Sequence, residues 1–151
     1  MRVENALFGP VGLFSANQQA RHHYGIGAEE LVEGKKVLVV DAVPRPPLDP
    51  AHVVGRVWIL EGDASILKIE WNQTSVGNFE VIRDIARKLK AEPMLVSTTE
   101  YRVEKNGIRF PSRDTTEEAY LLKNDKRVVR SKTTILYQDY KFFTVETEVR
   151  Y

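Results

Sequence analysis

Cysteine is absent from the 151 residues of the chain. This absence excludes disulfides, thiolate metal ligands and thiol nucleophiles, so packing must stabilise the fold. Histidine is scarce too, with His22, His23 and His52 as the three examples. His22 and His23 are neighbours on a predicted strand, so their side chains point to opposite faces and cannot share one metal ion. We therefore predict no metal site and no cofactor.

The chain also lacks an excess of charge of either sign, because 22 Lys and Arg nearly balance 21 Asp and Glu. A net charge of +1 gives no strong electrostatic footprint for nucleic acid. One hairpin does carry a cluster of basic residues with two tyrosines nearby: Lys123, Lys126, Arg127, Arg130, Lys132, Tyr120 and Tyr137. A solvent-exposed strand face explains this alternation better than a base-stacking surface does. No nucleic-acid partner is predicted.

Long apolar runs are missing as well. Val37–Val40 is typical, because it ends after four residues, whereas a membrane-spanning helix needs about 18. The first residues, Met1–Asn5, lead into no sustained apolar stretch of the kind found in signal peptides. The sequence therefore predicts no integral membrane segment and, taken literally, a protein that stays in the compartment where it is made.

Catalytic motifs are not found either. There is no Gly-x-Ser-x-Gly nucleophile motif, and Gly25–Ala28 lacks the third glycine of a dinucleotide site, which favours a simple turn. The acidic pairs Glu29–Glu30 and Glu117–Glu118 lie in polar surroundings typical of solvated faces rather than of an acid/base pair. We predict that the protein is not an enzyme.

What the sequence does contain is alternation with a period of two, which is typical of half-buried strands. At the C-terminus, one face carries Phe143, Val145, Thr147, Val149 and Tyr151. The preceding strand carries Val129, Ser131, Thr133, Ile135 and Tyr137 on one face. Gln138–Asp139 is a plausible tight turn between the two strands.

Three further hairpins are predicted. Arg56–Leu60 pairs with Ile66–Trp71, Tyr101–Glu104 pairs with Ile108–Phe110, and Ala119–Leu122 pairs with Val128–Val129. The second hairpin turns through Asn106–Gly107, a dipeptide that readily adopts positive φ. Lys36–Val43 and His22–Ile26 are predicted as additional strands.

One segment has helical spacing instead. Phe79, Ile82, Ile85, Ala86 and Leu89 form an apolar stripe, so a helix is predicted between an N-cap at Asn78 and Pro93. A short helix is also expected near 15–20. The proline-rich stretch 43–54 cannot be a central strand and is interpreted as a stiff connecting loop, with a lid over a cavity as the alternative.

Together these elements predict a mainly β (α+β) fold, an antiparallel sheet of seven to nine strands with one main amphipathic helix. Its apolar side chains either fill a core or line a cavity for an apolar ligand. The candidate cavity residues are Trp58, Leu67, Ile69, Trp71, Phe79, Ile82, Tyr101, Val103 and Phe143.

Several segments resemble a known family. Gly55–Ile59, an acidic turn and Ile66–Glu70 resemble a hairpin of the outer-membrane lipoprotein-sorting proteins, the LolA-like group. Asn106–Arg113 and Tyr140–Glu148 resemble the C-terminal strands of uncharacterised bacterial members. The resemblance covers roughly residues 20–151 and rests on structural rather than catalytic motifs.

This resemblance implies a strongly curved antiparallel half barrel with a helical lid, whose apolar cavity receives lipid or the acyl chain of a lipoprotein. It also implies one LolA-like domain over 1–151 that lacks N-terminal elements of the family fold, and a periplasmic location; without it, a cytoplasmic location is expected. An incomplete barrel exposes an edge strand, so a homodimer is a possible partner arrangement. The alternative function is a protein-interaction or structural β domain with a filled core.

Overall fold

The computed structural model describes residues 11–14, 16–46, 54–77 and 79–141. The helical elements are two short 3-10 helices, Val11–Phe14 and Gln73–Ser75, and two α-helices, α1 (Ala16–Gln19) and α2 (Phe79–Leu89). The strands are β1 (His22–Val32), β2 (Lys35–Pro44), β3 (Gly55–Leu60), β4 (Ile66–Trp71), β5 (Glu92–Glu100), β6 (Val103–Lys105), β7 (Ile108–Phe110), β8 (Arg113–Leu121) and β9 (Arg127–Leu136).

Seven strands form one antiparallel sheet in the order β1-β2-β3-β4-β5-β8-β9. Each strand of this sheet pairs with the next one along the chain, except that β5 pairs with β8, because β6 and β7 between them form a separate two-stranded hairpin. Helix α2 connects β4 to β5. The predicted mainly β architecture is confirmed. Over the described residues the sheet is open, with β1 and β9 at its two edges.

Two local predictions are confirmed, although the first strand of the predicted hairpin is Val103–Lys105 rather than Tyr101–Glu104. Val103–Lys105 pairs with Ile108–Phe110 through a turn in which Asn106 has φ 55° and Gly107 has φ 73°. Two successive positive φ values match the right-handed twist of a hairpin, and Asn-Gly adopts them at low cost. The predicted helix from Phe79 to Leu89 has the observed bounds of α2.

One prediction in the N-terminal part is wrong, and one strand is a residue longer at each end than predicted. Gly25–Ala28 is not a turn, because it lies inside β1, where a β-bulge between Ile26 and Ala28 interrupts the register with β2. Strand β2 also continues into the predicted loop as far as Pro44, which pairs with His22. Proline is tolerated there because it stands at the strand's last position.

The register assigns each strand residue to one of two sheet faces, since directly paired residues share a face and neighbours alternate. The first face, which we call the covered face, carries Val57, Ile69, Ala42 and Tyr101, all almost completely buried. Leu13 from the first 3-10 helix packs into this cluster. Tyr24 fixes that helix by donating a hydrogen bond from its hydroxyl to the Leu13 carbonyl over 2.6 Å.

Helix α2 lies on the covered face too. Its buried residues Phe79, Ile82 and Ala86 pack against Leu95 of β5 and Tyr120 of β8. Burial of each large apolar side chain contributes about 1.5–3 kcal/mol to folding. The helix is therefore a packed part of the core.

The opposite face, which we call the pocket face, carries a smaller apolar group. Val37, Val39, Trp58 and Leu60 are buried there, and Leu67 packs against them. We call these five residues the Trp58 cluster. No helix from the described part of the chain contributes to this cluster, and charged side chains surround it.

The edge strand β9 pairs with β8 along its whole length rather than only at Val128–Val129. A bulge between Glu118 and Ala119 separates the pairs Glu118–Ser131 and Ala119–Val129. Val129 therefore lies on the face opposite to Ser131, and the prediction that they share one is wrong. The predicted strand from Phe143 to Tyr151 lies outside the described residues.

The N-cap Asn78, His52 and most of the stretch 43–54 are likewise outside them. Within the ranges that the structure describes, no helix has the length and apolar character needed to cross a membrane.

Candidate functional site

A half-open pocket of about 470 Å³ lies on the pocket face. This volume lies within the ~300–1,000 Å³ typical of small-molecule sites. The lining residues come from β1, β3, β4, the end of β5 and the β6–β7 hairpin: Glu30, Val32, Glu33, Trp58, Leu67, Lys68, Glu100, Tyr101, Arg102 and Arg109. The pocket therefore extends across several strands rather than along a single strand.

A β-bulge between β3 and β4 shapes the apolar floor. Trp58 pairs with Lys68 and Ile59 pairs with Ile66, so Leu67 is an extra residue between two pairs. Because a bulge breaks the alternation of side chains, Leu67 packs with the Trp58 cluster although Ile69, two residues on, belongs to the covered face. Trp58 and Leu67 together form the floor.

Two charged side chains hold the Trp58 indole in place. Its Nε1 donates a hydrogen bond to Glu30 Oε2 over 3.0 Å. The Lys68 ammonium lies 3.4 Å from the ring centroid, a cation–π contact. Trp58 is only 8% exposed, so the indole is fixed before any ligand arrives.

The charges around the pocket are separated by sign. Glu30 and Glu33, from the end of β1 and the turn after it, form what we call the acidic wall. Lys68 of β4, Arg102 after β5 and Arg109 of β7 form the basic wall. The sheet order places Trp58, on β3, between the two walls.

The partners of the basic wall decide how much positive charge the pocket keeps. Arg102 Nε is 2.8 Å from Glu100 Oε2, and Glu100 also lines the pocket, so this pair is neutral. Lys68 Nζ is 3.8 Å from Glu70, and Arg109 Nη2 is 3.3 Å from Glu104, but neither carboxylate lines the pocket. This side of the lining therefore includes two cations whose carboxylate partners lie outside the pocket.

Tyr101 connects the pocket to the core. It lines the pocket and is 2% exposed. Its hydroxyl has no hydrogen-bond partner among the described residues. Burial, and after it the nearby Asp114 carboxylate, raises the pKa of this phenol well above its ordinary value, so the hydroxyl keeps its proton at neutral pH.

The predicted cavity residues are divided between the two faces. Trp58, Leu67 and Tyr101 line the same pocket. Ile69 and Trp71 pack in the cluster of the covered face, and Phe79 and Ile82 pack beneath α2. Val103, in the β6–β7 hairpin, is half-buried and does not line the pocket. Phe143 lies outside the described residues.

The two histidines within the described residues, His22 and His23, lie in different surroundings. His22 is buried and its Nδ1 lies 2.9 Å from the Gln18 carbonyl, whereas His23 is exposed, so the two side chains point apart as predicted. Among residues 11–14, 16–46, 54–77 and 79–141, no group of three His, Asp or Glu side chains is arranged to bind a metal ion.

The basic residues of the β8–β9 hairpin are engaged with the second acidic pair. Arg127 and Lys132 form ion pairs with Glu117, and Arg130 forms one with Glu118 over 2.7 Å. These contacts lie on an exposed sheet edge. They match the interpretation of this cluster as a solvent face.

The charged lining was missed by sequence reasoning. Glu29 and Glu30 are both exposed, as the interpretation of this pair as solvated requires, but Glu30 also accepts a hydrogen bond from the Trp58 indole. The alternation of β1 distinguishes Glu29 from Glu30, but only the register shows that Glu30 meets β3. No sequence pattern pointed to Arg102 and Arg109 as pocket residues. They follow β5 in the chain, and only the fold brings them to the pocket.

No family model matches the chain, and searches of curated proteins and of solved structures also found no match. The resemblance to the LolA-like group therefore stays a prediction.

Proposed function

We propose that this domain is a non-enzymatic carrier or binding module for an amphiphile, a lipid or the acyl chain of a lipoprotein, held in the pocket of the pocket face. The observation that carries the proposal is one 470 Å³ pocket with an apolar floor of Trp58 and Leu67 beneath a charged rim. Burial of an acyl chain away from water favours binding at the apolar floor, and the charged side chains of the rim can contact a polar head group. The proposal includes a sheet that curves into a half barrel, as the resemblance to the LolA-like group implies.

The fixed indole supports binding without large rearrangement. Glu30 and Lys68 already hold Trp58, so a ligand does not have to order it. The apolar residues on the other face are already packed against one another. An acyl chain is accommodated more easily in the pocket than between α2 and the sheet, where it would have to displace Phe79 and Ile82.

The test uses the delipidated full chain and monomeric lauroyl glycerol, a neutral amphiphile. The chain has two tryptophans, so Trp71→Phe leaves Trp58 as the only indole reporter. We expect a saturable change in Trp58 fluorescence and a rise in Tm with ligand concentration. No fluorescence change and no Tm gain at saturating amphiphile would overturn the proposal.

A matched pair of variants locates the site. Leu67→Ser places a hydroxyl on the floor and is expected to weaken binding about tenfold. Leu89→Ser alters an exposed leucine of α2 and should leave affinity unchanged. Equal losses in both variants would contradict a site on the pocket face.

The edge strand β9 favours a second candidate function, pairing with a second copy of the chain. All ten of its residues are exposed, including the large apolar Val128, Val129, Ile135 and Leu136. Its outer edge has no paired strand among the described residues, and such edges are templates for pairing.

Sedimentation at several concentrations tests this second candidate. A dimer that Ile135→Lys abolishes, and that Val81→Lys on the exposed side of α2 leaves intact, is the expected result. A monomer at all concentrations would contradict it.

A further inference from the structure

We propose that the pocket selects amphiphiles with a zwitterionic head group, which places its ammonium at the acidic wall and its phosphate or carboxylate at the basic wall. This inference rests on the proposed function and adds the class of head group and its orientation.

The acidic wall is suited to a cation. Glu30 and Glu33 both line the pocket, and among the described residues neither forms an ion pair with a basic side chain. Glu30 Oε2 accepts a hydrogen bond from the neutral indole N–H of Trp58, which does not cancel the carboxylate charge. Two carboxylates at one end of a partly enclosed pocket attract an ammonium and repel a phosphate.

The basic wall is suited to an anion. Lys68 and Arg109 face the pocket while their carboxylate partners, Glu70 and Glu104, lie outside the lining. The Arg109 side chain is 19% exposed, and its Nε donates to Ser65 Oγ over 3.0 Å, so the guanidinium is held in position. Charge-assisted hydrogen bonds from such groups to phosphate are about twice as strong as neutral ones.

The balance of charge favours a zwitterion over a simple anion. With the Arg102–Glu100 pair neutral, the lining itself holds two cations, Lys68 and Arg109, on one wall and two carboxylates on the other, and the carboxylates that pair with the two cations lie outside the lining. A purely anionic head group gains from the basic wall but is repelled by Glu30 and Glu33. A zwitterion gains at both walls, with its apolar part over Trp58 and Leu67 between them.

Three ligands with the same lauroyl chain separate these cases: lauroyl glycerol, lauroyl lysophosphatidic acid and lauroyl lysophosphatidylethanolamine. They share the glycerol and differ in having no charge, a phosphate, or a phosphate with an ammonium. We measure the Kd of each for the full chain below its micelle concentration, using Trp58 fluorescence. The Kd of free phosphoethanolamine, which has no acyl chain, shows whether the pocket binds a lipid head group or a free zwitterion.

Two charge-neutralising variants and two matched controls test the walls separately. Lys68→Met keeps an apolar stem beside the indole, and Glu33→Gln keeps the size of the side chain. The controls are Lys88→Met on α2, and Glu29→Gln, which alters the neighbour of Glu30 on the opposite sheet face. Both controls leave the pocket lining unchanged.

We expect the ethanolamine lipid to bind about tenfold more tightly than the other two, and each pocket variant to weaken it about tenfold. Lys68→Met should also weaken the binding of lauroyl lysophosphatidic acid. Glu33→Gln should strengthen the binding of this lipid. Three equal affinities, or an ethanolamine lipid unaffected by Glu33→Gln, would overturn the head-group inference and leave the proposed function standing. Absence of binding by all three lipids would overturn both, and free phosphoethanolamine binding as tightly as its lipid would overturn the acyl-chain function alone.

Discussion

The two faces of the sheet differ in what their side chains do. The covered face packs Val57, Ile69 and Leu95 beneath helical elements, and its large side chains are almost fully buried. The pocket face has the smaller Trp58 cluster, and charged groups surround a partly open volume. Within the described residues, the larger buried clusters therefore lie on one face of the sheet and the half-open volume lies on the other.

Polar groups follow the same division. On the covered face, Trp71 Nε1 donates to Thr99 Oγ1 over 3.1 Å, and Thr99 Oγ1 donates to Asp114 Oδ2 over 3.0 Å. These bonds satisfy groups that water reaches poorly. On the pocket face, charged groups such as Lys68, which lies over the Trp58 ring, instead line a half-open volume.

The largest expected effect comes from truncating one apolar residue on each face. Ile69→Ala removes a side chain with no exposed surface, so we expect a loss of about 3 kcal/mol in the free energy of unfolding. Leu67→Ala, at a half-buried position, should cost about 1 kcal/mol. Urea denaturation of both variants measures the difference. Equal losses would show that the pocket face contributes to stability as much as the covered face does.

A second prediction compares two tyrosines of the covered face and gives effects of opposite sign. Tyr24→Phe removes the hydrogen bond to the Leu13 carbonyl and should lower the free energy of unfolding by about 1 kcal/mol. Tyr101→Phe removes a buried hydroxyl that has no partner among the described residues, so stability should stay the same or rise by up to about 1 kcal/mol.

Thermal and urea unfolding of both tyrosine variants provide the measurement. A clear loss of stability in Tyr101→Phe would mean that its hydroxyl is satisfied after all, and would remove the contrast between these two residues.

Sequence reasoning located the elements better than it located the faces. Apolar spacing predicted α2 from Phe79 to Leu89, and Asn106–Gly107 predicted the β6–β7 turn, because both signals are local. The division of the candidate cavity residues was not predictable from alternation. Leu67 and Ile69 are two residues apart, yet a bulge places them on different faces. Bulges depend on how neighbouring strands fit, which no short stretch of sequence records.

The charged pocket was equally beyond local reasoning. Glu30 and Trp58 are 28 residues apart, and Ser65 and Arg109 are 44 apart. Their meeting depends on the order and register of the strands. Trp58 was predicted as a cavity residue because large apolar residues on strands are natural candidates for a cavity lining. A single arginine in a hairpin, such as Arg109, is not such a candidate.

A third prediction concerns pH and the covered face. Burial raises the pKa of Asp114 above its ordinary 3.8, although the hydrogen bond from Thr99 opposes this effect. Because the folded state binds this proton more tightly than the unfolded state, the resulting stability is fully present below pH 3.8 and is lost as pH rises through the folded-state pKa. Asp114→Asn stays neutral and can still accept from Thr99.

We therefore expect Asp114→Asn to be more stable than the parent at pH 7 and to lose this advantage toward pH 3. The measurement is the difference in unfolding free energy between the two proteins across this range. Asp125→Asn, in the exposed turn before β9, is the control for the general effect of replacing one carboxylate by an amide. A parent that is more stable than Asp114→Asn at pH 7 would contradict the assigned cause, because it would mean that the charged form is favoured.

The smallest expected effect is on the pocket face, at the ion pair between Asp41 and Arg56. Arg56 Nε donates to Asp41 Oδ1 over 2.7 Å, but the two side chains are 53% and 40% exposed. Exposed pairs gain little, so Asp41→Asn should cost roughly 0.5 kcal/mol at low salt. In 1 M NaCl, where the screening length is about 3 Å, the cost should nearly vanish. A double-mutant cycle with Arg56→Met isolates the pair from other effects of each change. A coupling well above 1 kcal/mol that persists in salt would mean that charged pairs on the pocket face stabilise the fold, and that its charges are not simply available for a ligand.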